Sequence, residues 1–241
     1  MTESQQDMSS AADVHGAEGG TGTATTAPGD PHAIRRGLVT RTDERGAAKI
    51  QTVAQTYATT VEDLWDAVTN QERLPRWFAP VTGDLELGGR YQVEGNAGGT
   101  IESCEPPHRF RATWEFAGQV TWIAVTVSPD GDGAQLRLEH TALVPEDTSF
   151  WEQFGPGATG VGWDLAFMGM AKHLATGATI AGDAAQGWET TPEGLAFITE
   201  SSRLWAEQNV ADGTPREAAE AAGARTTAFY TGQPDPTDGG G

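Results

Sequence analysis

FGPGATGVGW, residues 154–163, sets Gly155, Gly157 and Gly160 at the spacing G-x-G-x-x-G and leads straight into an apolar, helix-like run. Two kinds of structure use such a stretch. In a dinucleotide-binding βαβ unit, the glycines let a pyrophosphate approach a helix N-terminus. That unit needs a buried strand before the motif, a helix after it and an acidic residue about 20 positions on. In the other kind, the glycines only allow a helix to begin. The preceding DTSFWEQF, residues 147–154, does not read as a buried strand, and the strands upstream of it are antiparallel by their short turns. The stretch is therefore expected to be a flexible start to a long helix and a mobile rim of whatever the helix covers.

The helix itself, GVGWDLAFMGMAKHLATG (residues 160–177), carries two apolar sides. Trp163, Phe167, Met170 and Leu174 form one narrow stripe, and Val161, Leu165 and Met168 cover much of the opposite side. A helix apolar on two sides needs two partners. Asp164 is read as lying in the first turn, where a carboxylate favours the positive end of the helix dipole.

One partner is upstream. After KIQTVAQTY (49–57), a β-branched alternating run, TTVEDLWDAVTN places Val61, Leu64, Trp65 and Val68 at i, i+3, i+4 and i+7, with Thr60 and Asp63 positioned as an N-terminal cap. NQERLPRWF reads as a second short helix presenting Leu74, Trp77 and Phe78 to the same core. Six strand signals follow: VTGDLEL, GGRYQVEG, GGTIESCEPP, HRFRATWEF, VTWIAVTVSPDGDG and AQLRLEHTAL. Alternation puts Phe110, Ala112, Trp114 and Phe116 on one face of their strand, and Leu136, Leu138 and His140 on one face of theirs. One meandering antiparallel sheet with a single buried face is the predicted architecture. The other partner is downstream: capped helices open at Thr191-Pro192 and Thr214-Pro215, and Leu195, Ile198, Leu204 and Trp205 are suited to cover the second side of the long helix.

Residues 1–46, rich in Gly, Ala, Thr, Ser and Asp without an apolar period, are expected to be a disordered tail, with Arg35, Arg36, Arg41 and Arg45 in a solvated linker. The domain organisation expected is this tail, a folded domain over 47–180, a helical extension packing on it over 181–231, and a second tail over 232–241.

The chain of 241 residues carries a formal charge of −19, which repels phosphate backbones and anionic membranes, so neither nucleic acid nor membrane is expected as a partner. Cys104 is the single cysteine, which excludes an intrachain disulfide. No apolar run approaches membrane-spanning length, and the start MTESQQDMSS has neither basic nor apolar signal regions, so the expected location is the cytosol. His15, His32, His108, His140 and His173 show no paired metal spacing, and no nucleophile elbow, Cys-His pairing or P-loop lysine occurs. No metal or cofactor is expected.

Taken together, VEDLWDAVTNQERLPRWFAPVTGDLELGGRY, ESCEPPHRFRATWEF, LRLEHTAL and GVGWDLAF resemble the activator of heat-shock protein 90 ATPase homologue-like family of the SRPBCC (START or Bet v-like) superfamily. The resemblance spans residues 49–177, and the W-x-A-x-T-x-x-x-x-L-x-x-W-F spacing from Trp65 is its most specific part. The extension through TTAFYTG is similar to one carried by actinobacterial members. The resemblance implies an α+β helix-grip fold, in which a curved antiparallel sheet wraps a long C-terminal helix and leaves a cavity between them. It also implies three functional classes: binding of a small apolar or aromatic ligand in that cavity, a chaperone ATPase activator-like interaction protein, or a polyketide cyclase-like enzyme.

Ligand binding is the reading the residues favour, since no catalytic constellation is present and aromatic side chains are concentrated on facing elements. The cavity candidates are Trp77, Phe78, Tyr91, Trp114, His140, Trp163, Phe167 and Met170. His140 is the leading polar candidate because alternation turns it inward; Glu139 points the other way, so the two cannot form a dyad. A lone inward histidine is more often a satisfied core residue than a base.

Overall fold

A computed structural model describes residues 29–44 and 46–235. Eight strands form one antiparallel sheet: β1 (Arg35–Asp43), β2 (Gly46–Tyr57), β3 (Val81–Gly83), β4 (Arg90–Val93), β5 (Gly98–Glu105), β6 (Arg109–Phe116), β7 (Gln119–Asp130) and β8 (Gly133–Leu143). Their spatial order is β1-β2-β8-β7-β6-β5-β4-β3, so β3 to β8 run as an uninterrupted meander and β2 closes onto β8. The helices are α1 (Val61–Thr69), α2 (Ser149–Phe154), α3 (Gly157–Thr176), α4 (Pro192–Ala211) and α5 (Arg216–Thr231).

The alternating patterns set the layers. Cross-strand register aligns Gln51, His140, Ile123 and Ala112 in one row of the concave face, and Val53, Leu138, Val125 and Phe110 in the next. All but the half-buried Phe110 are buried. Helix α3 lies over these rows, with Trp163, Phe167 and Met170 buried. Caps hold the shorter elements where the sequence placed them: Thr60 accepts from the Asp63 amide at 3.1 Å and Thr191 from the Gly194 amide at 3.1 Å.

The second side of α3 meets α4 and α5, whose Ile198 and Trp205 are fully buried. Here the glycines of the opening stretch find their reason. A Cβ on Gly160 would stand 2.4 Å from the Trp205 ring, and one on Gly157 would stand 2.8 Å from the Thr226 hydroxyl. Gly155 takes φ 57° and ψ −153°, a conformation open to glycine alone, at the turn between α2 and α3. The expectation of a flexible helix start and a mobile rim is thus corrected. Two of the three glycines are close-packing positions, and an adjacent helix fills the space their missing side chains leave.

Two further expectations are corrected. Residues 35–43, read as part of a disordered tail, form the edge strand β1, paired along its whole length with β2. RRGLVTRTD has no apolar alternation of its own, and besides its pairing with β2 it is held by partners remote in sequence. The Arg36 Nε donates to Asp164 Oδ2 at 2.8 Å, and the Thr40 amide donates to Asp212 Oδ1 at 2.9 Å. Residues 1–28, Arg45 and residues 236–241 lie outside the described residues. Asp164, in turn, is the eighth residue of α3 rather than one of its first turn, so the helix dipole does not explain it.

Candidate functional site

The aromatic and polar side chains between sheet and α3 converge on His140. Its ring is buried and held at both nitrogens: the Trp163 indole N–H donates to His140 Nδ1 at 3.1 Å, and His140 Nε2 lies 2.8 Å from Thr121 Oγ1. An indole nitrogen only donates, so Nδ1 is the acceptor and the neutral ring carries its proton on Nε2. Nε2 then donates to Thr121, whose hydroxyl passes its own hydrogen to the Trp114 carbonyl at 3.0 Å. Burial pushes the His140 pKa down to about 4, which keeps the ring neutral through the physiological range.

Trp114 and Trp163 stand 5.2 Å apart between ring centroids, and each faces the imidazole, at 6.5 and 5.8 Å. The three rings span the trough where the sequence led us to expect open space. Two open depressions, of about 620 and 490 Å³, lie elsewhere, one by Asn70 and Asp84 and one by Arg35 and Arg137.

The eight candidates therefore divide. Trp114, His140 and Trp163 form one contact group. Trp77 and Phe78 form another, with ring centroids 5.5 Å apart, and the Trp77 indole donates to the Ala67 carbonyl at 2.9 Å. Phe167 and Met170 are buried core. Tyr91 is anchored by its hydroxyl to the Thr113 carbonyl at 2.6 Å, and burial raises its pKa well above the ordinary value.

Sequence reasoning missed the polar row on β2. Gln51 donates from Nε2 to the Pro156 carbonyl at 2.7 Å and accepts from Thr159; Tyr57 Oη donates to the Phe167 carbonyl at 3.3 Å. Gln55, between them on the same face, is also buried. The signal was present in KIQTVAQTY, where Gln51 and Gln55 alternate in phase with Val53 and Tyr57.

One end of the trough has an apolar rim. The register closes the β6–β7 hairpin at Phe116 and Gln119, sets Trp122 beside Thr141, and so brings Val120 next to the end of β8, after which Val144 follows. Helix α2 is at the same end, since the Trp151 ring lies 5.1 Å from the ammonium of Lys49, itself paired with Ala142. Phe116, Val144 and Phe150 are exposed there, and Val120, also exposed, alternates to the outer face opposite Glu115.

On the opposite side of α3, Asp164 is wholly buried. Its Oδ2 accepts from Arg36, from the Ser201 hydroxyl and, at 3.0 Å, from the Trp205 indole. Burial is the dominant influence and lifts its pKa to about 6, against the pull of Arg36 and the hydrogen bonds. Cys104 is half-buried on β5, and desolvation raises its thiol pKa, which leaves it a poor nucleophile. Among the described residues no group of three or more His, Cys, Asp or Glu is placed to hold a metal ion, and no helix is long and apolar enough to cross a membrane.

Residues 58–175 match the family described as Activator of Hsp90 ATPase homolog 1-like protein. The chain is similar to two solved structures of CalU16 from Micromonospora echinospora. The crystal structure is 30% identical over 73% of this chain and 98% of that one, with a TM-score of 0.57. The solution structure is 34% identical over 75% and 97%, with a TM-score of 0.60. A conserved protein of unknown function from Enterococcus faecalis, 10% identical over 73% of this chain and 92% of that one with a TM-score of 0.51, shares the fold. No curated protein matches the chain.

Proposed function

The chain belongs to the Activator of Hsp90 ATPase homolog 1-like family, with the helix-grip fold of the SRPBCC superfamily, and from that premise we propose that it binds a small apolar or aromatic molecule in the trough between sheet and α3. The observation that carries this reading is the mutual saturation of the polar groups around His140, set beside an aromatic wall. Trp163, His140, Thr121 and the Trp114 carbonyl satisfy one another, so a ligand laid against Trp114 and Trp163 meets ring faces and no unpaired charge. Trp114 is only half-buried and shares its face of β6 with the exposed Phe116 at the rim, which makes its side chain the one to swing aside on entry. Displacing it costs ring contacts but leaves the hydrogen-bond chain intact, since Thr121 bonds the Trp114 backbone and not its indole.

His140 does not suit the role of general base required by a cyclase-like reaction. Both nitrogens are engaged and its pKa lies about two and a half units below the ordinary histidine value, too low to hold a proton taken from a substrate at neutral pH. In this reading His140 orients Trp163 as the wall of the binding trough.

The test is native mass spectrometry of protein purified from its own cells, combined with titration of the neutral dye N-phenyl-1-naphthylamine. A non-covalent adduct at one per chain, and saturable dye fluorescence competed by that adduct's ligand, are expected. A bare mass together with no saturable dye binding overturns the proposal.

A further inference from the structure

Among the described residues, most polar side chains that the sheet turns to the concave side are partnered. Lys49 Nζ pairs with Asp212 at 2.6 Å, Gln51 with Pro156 and Thr159, Tyr57 with Phe167, and Thr121 with His140. Gln55 is 7% exposed, and its carboxamide oxygen has no hydrogen-bond partner among the described residues. Four other buried side-chain atoms share that condition, one of them, Arg36 Nη2, on the same face of the sheet, where Arg36 of β1 pairs with Val53. Arg36 Nη2 and Asp164 Oδ1 belong to residues already joined through other atoms, and Trp188 Nε1 and Ser202 Oγ are outside the sheet.

The position of Gln55 gives this acceptor a use. Along β2 it follows Gln51 by four residues on the same face, about 13 Å further from the rim at strand spacing. Cross-strand it pairs with Leu136, and Leu136 pairs with Val127, so its row of the trough is otherwise aliphatic. The hydrogen bonds from Gln51 to Pro156 and from Tyr57 to Phe167 show α3 running over this stretch of β2, with Gln55 between the two anchor points. A buried acceptor left without a donor costs about 1–3 kcal/mol, and an apolar residue of the same shape avoids that cost. A hydroxyl on a bound ligand recovers it.

We infer that Gln55 is the polar anchor of the trough and that the ligand is an apolar or aromatic molecule carrying a hydroxyl group, which donates to the Gln55 carboxamide oxygen. This rests on the proposed ligand-binding function and adds the chemical class of the ligand. The aromatic wall near the rim accepts the hydrocarbon body, and Gln55, deeper in, selects for the hydroxyl.

The experiment compares the binding of 1-naphthol and naphthalene to the wild-type chain and to Gln55→Met, with the thermal midpoint of each protein recorded alongside. Gln55→Met is expected to raise the midpoint, to leave naphthalene binding unchanged, and to lower the naphthol-to-naphthalene affinity ratio by about tenfold, the worth of one hydrogen bond. A raised midpoint with an unchanged ratio overturns the anchor while leaving the trough a binding site. Binding of neither probe by the wild type overturns the binding proposal and the anchor with it. If Gln55→Met fails to fold, Gln55→Leu and Gln55→Ala supply the same ratio, and persistence of the wild-type ratio in whichever folds is again contrary.

Discussion

The two sides of α3 carry the same device with opposite electrical character. On the sheet side, the Trp163 indole donates to a buried histidine; on the outer side, the Trp205 indole donates to a buried aspartate. The histidine is neutral, and its bonds run on through a hydroxyl to a backbone carbonyl. The aspartate is paired with Arg36, whose side chain is 4% exposed, and the bonds at its Oδ2 join β1, α3 and α4. A neutral chain of hydrogen bonds costs little to rearrange, whereas a buried ion pair is costly to break from either end. The inner side is therefore suited to yield to a ligand, and the outer side to hold the frame while it does.

The largest effect should come from breaking the outer side. Arg36→Met leaves the Asp164 carboxylate buried without its cation, and urea denaturation at pH 7 is expected to show a loss of about 3–5 kcal/mol. A loss below about 1 kcal/mol would mean that β1 and α4 do not depend on this pair.

The pH dependence separates the two sides next. Asp164 is lifted from 3.8 to about 6, so the folded chain holds this proton more tightly than the unfolded one, and the group's contribution to stability falls as pH rises through about 4 to 6. His140 is lowered from 6.5 to about 4; the unfolded chain holds that proton more tightly, so its contribution is present above pH 6.5 and lost as pH falls toward 4. The two oppose each other across one window. Denaturation curves of the wild type and Asp164→Asn between pH 4 and 7 should diverge, with the wild type losing up to about 3 kcal/mol relative to the variant as pH rises. Parallel curves would remove Asp164 from the titrating groups.

A smaller effect is expected on the inner side. Trp163→Phe keeps a ring in the trough but deprives His140 Nδ1 of its donor, at a cost of about 1–2 kcal/mol by urea denaturation at pH 7. A loss as large as that of Arg36→Met would erase the contrast between the two sides.

The parts of this arrangement legible in the sequence were those fixed by local period and capping. Phe110, Ala112 and Trp114 alternate inward as read, His140 joins them, and Thr60 and Thr191 cap their helices. The family follows from the same stretch, through the spacing that begins at Trp65. What was not legible depends on partners far along the chain. β1 shows no apolar pattern, and besides β2 it is held by contacts 128 and 172 residues away. Gly160 looks like a hinge until Trp205 is packed against it. Asp164 looks like a dipole cap until Arg36 arrives from β1. At the candidate site, the aromatic residues were found by type, but the engagement of both His140 nitrogens needed Trp163 and Thr121 in place, and the inward phase of Gln55 with Val53 and Tyr57 does not by itself tell whether its amide finds a partner.

The most direct measurement follows the indole N–H resonances of Trp163 and Trp205 by NMR during a naphthalene titration, because the two report on opposite sides of one helix. A saturable shift of the Trp163 resonance with the Trp205 resonance unmoved is the predicted result. No saturable shift at Trp163, or a shift confined to Trp205, would contradict the account.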